Sequence, residues 1–497
     1  MTTEAGPTLA SQVPSGLWAS AVEAAEGIRR AQTVTVATHI DADGIAAAGI
    51  ASAALTRAGR LASVRFFKKL DDAAIKDLRK SGSDLVWFTD LGSGSISKIE
   101  GMRAVISDHH VPDTAASPGP RNGQMLISDF ATVLHVNPQL HGVSGANELS
   151  GAGSTFLVAL ALDPANIELA PLAILGAVGD LQDQKTRKLE GVNRMILMAA
   201  CRLGLVESSE DLRYFGRETR AIHKMLEYSS DPFLPGITNN EEGALAFLLE
   251  RGLELKDGET WRVWSSLTSD EKDDIIDGLR TLLERSRRKP GTIERLVGEV
   301  YTFPREPTGM PVRDAKEFAT LLNACGRHGR ADVGLRLCTG DRGDALNEGL
   351  VLLRDHRSAL SQALTFAKDV GVTRMVNIQH FDAGDEIEDT IVGTVAGMLL
   401  NSNGSGRSAP MVAFADSTEY SEVPTKKVSA RGTQELVSMG MDLSVAMRTA
   451  AERFGGVGGG HNIAAGATIP VEKKEEFLRV LDETVGSQLL RGARQRV

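Results

Sequence analysis

Residues 104–110 read Ala104-Val105-Ile106-Ser107-Asp108-His109-His110, a short apolar run that ends in an acid and two histidines. The same form recurs three times. Val34-Thr35-Val36-Ala37 leads into His39-Ile40-Asp41-Ala42-Asp43-Gly44, Leu85-Val86-Trp87-Phe88 leads to Asp90, and Leu175-Gly176-Ala177-Val178 leads to Asp180. Strands buried on both faces of a parallel sheet read as short apolar runs. Their carboxyl ends share one edge, where ligands bind. Four such acidic sites with several histidines at one edge suit two hard divalent cations. Carboxylates favour Mg²⁺ or Mn²⁺, and imidazole tilts the choice toward Mn²⁺.

The motifs differ in weight. Asp41 and Asp43 are expected on one tight strand-to-helix turn, with Gly44 letting the backbone turn closely; Asp and Gly are also ordinary turn residues. An acid after an apolar run, such as Asp90 or Asp180, is often only a helix cap. Packing explains Asp108-His109-His110 poorly, and the joint pattern carries the metal reading. Two neighbouring ions can activate a water and steady the entering and leaving oxygens of a phosphoryl displacement.

From 33 to about 200 the pattern alternates strand and helix. Strands are expected at Val34–Ala37, Ser63–Phe67, Leu85–Phe88 and Ala104–Ser107, and helices at 17–31, Gly44–Gly59, Ala73–Lys80, Leu149–Leu162 and Leu172–Val178. This implies right-handed crossovers and a parallel sheet. Residues 1–16 read as a flexible lead-in. Residues 205–300 are more charged and read as a mostly helical insertion, with the basic cluster Arg285, Arg287, Arg288 and Lys289 as a solvated helix end or, less simply, a phosphate-tracking patch. A second, smaller α/β domain follows, with strands at Val372–Ile378 and Met411–Phe414 and a helix within Ala383–Leu400. The expected division is 1–204, 205–300, a connecting segment 301–340 that closes the catalytic core, and 341–497.

The 497 residues are 42% hydrophobic with a net charge of -10, ample for buried cores and unlike a basic nucleic-acid-coating protein. Cys201, Cys325 and Cys338 form no metal or disulfide spacing, which fits a reducing cytoplasm. No run of eighteen apolar residues occurs, so no membrane association is expected.

These motifs resemble those of the DHH phosphoesterase superfamily. His39-Ile40-Asp41-Ala42-Asp43-Gly44, Phe88-Thr89-Asp90, Ser107-Asp108-His109-His110 and Gly176-Ala177-Val178-Gly179-Asp180 match its four motifs in order. Gly455-Gly456-Val457-Gly458-Gly459-Gly460-His461 and the residues after it resemble the glycine-rich signature of the associated DHHA1 domain. Asn137-Pro138, the stretch at 150–156, and Asn323-Ala324-Cys325-Gly326-Arg327 resemble RecJ, and the region from Phe215 to Thr238 resembles the archaeal RecJ-like exonucleases.

The resemblance implies a metal-dependent exonuclease acting on single-stranded DNA, with RNA also open, in replication or repair. It implies Asp41, Asp43, Asp90, Asp108, His109 and Asp180 as ligands of two Mn²⁺ or Mg²⁺ ions. His110 would support the site or touch the scissile phosphate; with Asp43 and Asp108 it makes the catalytic set. Many relatives carry a histidine four residues before the first acid; His39 lies two before Asp41, so its role as a ligand stays open. Arg327, Ser429, Arg431, Gly458, Gly459, Gly460 and His461 would bind substrate, glycine amides and arginine forks suiting phosphate oxygens. The alternatives are a phosphodiesterase for short oligonucleotides or cyclic dinucleotides, and a replisome scaffold binding GINS and other replication proteins.

Overall fold

The computed structural model describes residues 2–113, 133–229, 231–286, 291–402, 408–417 and 423–494. They form two compact units, Met1–Leu353 and Arg354–Val497. Arg287, Arg288 and Lys289 lie outside the described residues.

The first unit is built on a parallel sheet of β1 (Thr33–His39), β2 (Leu61–Phe67), β3 (Leu85–Thr89), β4 (Ala104–Ser107) and β5 (Val133–Val136), in the order β2-β1-β3-β4-β5. Apolar side chains alternate between its faces. Val34, Val36, Trp87 and Val105 join one core with the helices Ala42–Arg57, Gly151–Leu162 and Ala170–Gly179. Ala37, Val86, Phe88 and Ile106 join the other with Ile75, Leu78 and Met102. β5 is absent from the sequence expectation, because four residues with a histidine among them carry too short an alternation to register.

The expected flexible lead-in is instead the helix Thr2–Gln12 and the start of Ser15–Arg29. Leu9, Val13 and Leu17 recur every four residues and are buried in the first core; Gly6 and Pro7 obscured that spacing. Two acids also change address. Asp43 lies on the first turn of the helix Ala42–Arg57, not in the turn before it. Asp180 caps the carboxyl end of the helix Ala170–Gly179, the one expected at Leu172–Val178, and so reaches the site from a helix and not from a strand end.

The segment at 205–300 starts and ends on an antiparallel pair, β6 (Glu207–Leu212) and β9 (Val297–Thr302), with the short hairpin strands β7 (Lys256–Asp257) and β8 (Thr260–Trp261) between them. Its helices Ile222–Glu227, Glu241–Leu249 and Ser269–Arg285 enclose a separate core that includes Leu226, Trp264 and Leu279.

The second unit holds β10 (Thr373–Arg374), β11 (Gln379–Asp382), β12 (Met411–Asp416), β13 (Thr425–Arg431), β14 (Val457–Gly460) and β15 (Ala464–Pro470), ordered β10-β11-β12-β13-β15-β14. Only β11 and β12 are parallel. The strand expected at Val372–Ile378 is cut to the two residues of β10, and β11 begins only at Gln379. The Asp482 carboxylate takes the backbone N–H groups of Asn377 and Ile378 at 2.7 and 3.0 Å, so neither enters the ladder. The helix expected within Ala383–Leu400 starts only at Val392. The expected glycine loop is the edge strand β14, where a side chain at Gly458 would meet the Met447 carbonyl 2.5 Å away. Among the described residues no helix is long and apolar enough to cross a membrane.

Candidate metal centre

The order β2-β1-β3-β4-β5 reverses direction between β1 and β3. At such a switch point the connections leave on opposite faces and open a crevice at the carboxyl edge. Asp41, after β1, caps the helix Ala42–Arg57 by accepting from Gly44 N at 3.0 Å. Asp43 turns inward and accepts from Gly151 N at 2.7 Å and Ala152 N at 3.0 Å, the unpaired amides opening the helix Gly151–Leu162. Asp108, after β4, accepts from Ser93 N at 2.9 Å and His109 N at 2.7 Å, with His110 Nδ1 at 2.8 Å.

Asp90, after β3, differs. It is buried, its φ is 57°, and neither carboxylate oxygen has a hydrogen-bond partner. A buried polar group without a partner calls for an explanation such as an ion. Its nearest neighbours are His109 Nε2, 3.3 Å from Oδ1, and His39 Nδ1, 3.8 Å from Oδ2. His109 Nδ1 lies 2.6 Å from the Gly145 carbonyl and must donate to it. That fixes the tautomer and leaves the Nε2 lone pair for an ion.

Three sets of ligand atoms each lie within 4.8 Å of one another: Asp90, Asp108, His109 and His110; His39, Asp41 and Asp90; and Asp43, His109 and Asp180. Asp90 and His109 each belong to two sets. Glycines make the room: a Cβ at Gly151 would stand 2.6 Å from the Asp90 Cβ, and one at Gly176 would collide with Asp43 Oδ1. The donor chemistry, the unpartnered oxygens and these cradles fit a hard divalent cation.

The electrostatics agree. Burial, with the charges of Asp43 and Asp41, holds the Asp90 carboxyl well above its usual range. Burial likewise raises Asp43, and pushes Asp180 up to about 6. Asp108 is as buried, yet the His110 imidazole and its hydrogen bonds hold it well below the usual range. Burial opposes the charging of His109, but Asp180 and Asp90 beside it raise it well above an ordinary histidine. Excess negative charge in a water-poor crevice is what a cation relieves.

Several supports gain a role only from the structure, Asn137 alone among them having been marked by resemblance. Asn137 Nδ2 donates to Ser93 Oγ and to the His110 carbonyl, at 2.9 and 2.8 Å. Gln139 Nε2 donates to the His109 carbonyl at 2.7 Å. Gln182 Nε2 reaches both Asp180 Oδ2, at 3.0 Å, and the Gly145 carbonyl, at 2.8 Å. Gln182 follows Asp180 by two residues, and Gln139 carries no signal in the sequence.

Arg327 ends the helix Ala315–Arg327 close enough to Asp41 to feel its charge. In the same helix Asn323 Oδ1 accepts from Ala42 N at 3.0 Å, and a side chain at Gly326 would strike the Ile40 carbonyl. The stretch at 323–327 thus buttresses the first motif. In the second unit Ser429 and Arg431 alternate onto one face of β13 and border Gly393 at the start of the helix Val392–Ser402. Ser429, Gly466 and Gly459 form one row across β13, β15 and β14, with open space over Gly459. Gly460 (φ 133°) closes β14, and His461 is exposed.

Comparison with known proteins places the architecture. A DHH-CID domain model matches residues 214–297 and a DHHA1 domain model matches 370–487. An uncharacterized protein of Methanocaldococcus jannaschii is 30% identical over 463 residues, covering 92% of this chain and 94% of that protein. Among solved structures, RecJ of Thermus thermophilus in complex with Mn²⁺ superposes with a TM-score of 0.56 at 18% identity, over 95% of this chain and 55% of that one, so the chain spans about half of that RecJ. CDC45 of Entamoeba histolytica gives 0.59 at 12% identity, over 97% of this chain and 99% of that one. The chain belongs to the DHH/DHHA1 phosphoesterase family. Its fold is that of the RecJ-like members.

Proposed function

We propose that the protein is a metal-dependent exonuclease that hydrolyses phosphodiester bonds of single-stranded DNA or RNA. One observation carries this reading above the others: a buried carboxylate, Asp90, has two oxygens without partners and is shared between two ligand sets. In the proposed assignment His39, Asp41, Asp90 and Asp108 face one Mn²⁺ or Mg²⁺ ion, and Asp43, Asp90, His109 and Asp180 the other. When bound, such ions activate a water and neutralise charge on the oxygens of a phosphoryl displacement.

The chain's own residues supply placement. Amides of the Gly151–Leu162 helix orient Asp43, the Gly145 carbonyl fixes the His109 tautomer, and Asp108 anchors His110. His110, the most exposed of the site's histidines, is the proposed contact to the scissile phosphate. In the second unit Ser429, Arg431 and the strand from Gly458 to His461 are the proposed phosphate contacts, with Arg327 beside the first motif. A second reading, drawn from the sequence resemblance, is a replisome component binding GINS. The intact acids disfavour a scaffold alone. Digestion of end-labelled single strands, blunt duplex and a cyclic dinucleotide with Mn²⁺ tests the reading; fastest cleavage of the dinucleotide would replace it with a small-substrate phosphodiesterase.

A further inference from the structure

We propose that Asp183 and Arg213 form a positioning pair for the Asp180 carboxylate, so that the root of the inserted segment sets how tightly the centre holds metal. This rests on the assignment of Asp180 as a ligand.

The segment after Asp180 is not self-supporting. Leu181 and Arg187 sit at φ 60° and 62°, left-handed backbone that non-glycine residues keep only when their surroundings hold them there. On one side Gln182 holds it, with Asn193 Nδ2 donating to Gln182 Oε1 at 2.6 Å. On the other side the grip comes from the inserted segment's root. Arg213, directly after β6, places Nη2 on the Asp183 carboxylate and donates from Nη1 to the Asp183 carbonyl at 2.9 Å. β9 adds Glu299 N to the Arg187 carbonyl at 2.9 Å and the Tyr301 hydroxyl, which accepts from Leu189 N at 2.8 Å. Lys316 Nζ donates to the Arg213 carbonyl at 2.9 Å and fixes the arginine's own backbone.

The pair does more than fill space. Its side chains are only 10% and 8% exposed, and a small cavity of mixed polar and apolar lining flanks them, between Arg217, Val300 and Lys316. Leu189 seats the far end of the loop in the apolar core, and the guanidinium fork orients the stretch at Asp183. A planar fork that grips a carboxylate and the same residue's carbonyl fixes orientation, which a lysine ammonium cannot. Asp180 lies three residues away, joined to this loop by Gln182. Polar groups that orient a ligand from behind typically change metal affinity 10–100-fold when removed.

The test is Mn²⁺ binding by the full chain, read by calorimetry and by the electron paramagnetic resonance of free Mn²⁺, with melting recorded in EDTA. The set is wild type, Asp180→Asn, Asp183→Asn, Arg213→Lys and, as a stability control far from the pair, Leu17→Ala. Asp183→Asn is expected to weaken Mn²⁺ binding about 10–100-fold, Arg213→Lys by less, and Leu17→Ala to lower melting while leaving affinity unchanged. Wild-type affinity in a folded Asp183→Asn protein, or an equal loss in Leu17→Ala, overturns the positioning role. If wild type binds no Mn²⁺, or Asp180→Asn binds it as well as wild type, the assignment of Asp180 fails instead.

Discussion

Replacing Asp90 with asparagine separates what this carboxylate costs the metal-free protein from what it gives the metal-bound one. The change keeps shape and removes one charge. It is neutral for the backbone, because asparagine tolerates the left-handed region about as well as aspartate, and Asp90 sits at φ 57°. Asp41, Asp43, Asp90, Asp108 and Asp180 face His39, His109 and His110, so carboxylates outnumber imidazoles even with every ring charged. Neither Asp90 oxygen is hydrogen-bonded. Burial and the charges of Asp43 and Asp41 oppose the Asp90 carboxylate, so removing its charge is expected to make the Asp90→Asn protein more stable in EDTA, by about 1–3 kcal/mol. With Mn²⁺ the order reverses. A ligand at one hundred times its Kd stabilises the state that binds it by about 2.7 kcal/mol, and the variant lacks the carboxylate that belongs to two ligand sets. Urea unfolding of both proteins, in EDTA and in Mn²⁺, reads both effects. A variant less stable than wild type in EDTA, with an undiminished Mn²⁺-induced gain, refutes the reasoning.

Gly151→Ala should push the Asp90 side chain aside, costing about 1–3 kcal/mol as overpacking and lowering Mn²⁺ affinity; thermal melting and calorimetry check both. Glu317 is buried, and burial with the nearby Asp314 charge pushes its carboxyl up to about 7 from 4.5. Its folded pKa being the higher, the native state holds the extra proton, and stability falls as pH rises from about 4.5 to about 7, by about 3 kcal/mol at full effect. Glu317→Gln should remove that slope in unfolding measured across this range. Arg431→Ala should raise KM on single strands more than it lowers kcat, because a phosphate contact made in the ground state is lost, and should reduce the salt dependence of binding; steady-state kinetics at graded salt measure this.

What was legible in the sequence followed from local chemistry. Runs such as Ala104–Ser107 and Leu85–Phe88 are buried strands because nothing in them suits solvent, and the acids behind them gather because parallel strands share an edge. What was illegible depends on distant partners. Gly151 reads as one small residue in a helix, yet its reason is Asp90, whose Cβ it would crowd. Asn137 stands out only by resemblance and Gln182 not at all, until their carbonyl partners at His110 and Gly145 are known. The strand expected at Val372–Ile378 is cut short at β10 because a carboxylate about a hundred residues later, Asp482, takes the amides of Asn377 and Ile378. The glycines at 455–460 suggest a loop by composition, yet Gly458, Gly459 and Gly460 lie in the strand β14 because β15 offers a ladder that needs no side chains.

The most direct test of the central claim is hydrolysis of an end-labelled single-stranded oligonucleotide by the full chain with Mn²⁺, beside Asp108→Asn and EDTA controls. Stepwise shortening from one end by the wild type, abolished in EDTA and reduced by orders of magnitude in a folded Asp108→Asn protein, is the predicted result. Wild-type rates in that variant, or no hydrolysis of any strand by a protein that binds Mn²⁺, contradict the account.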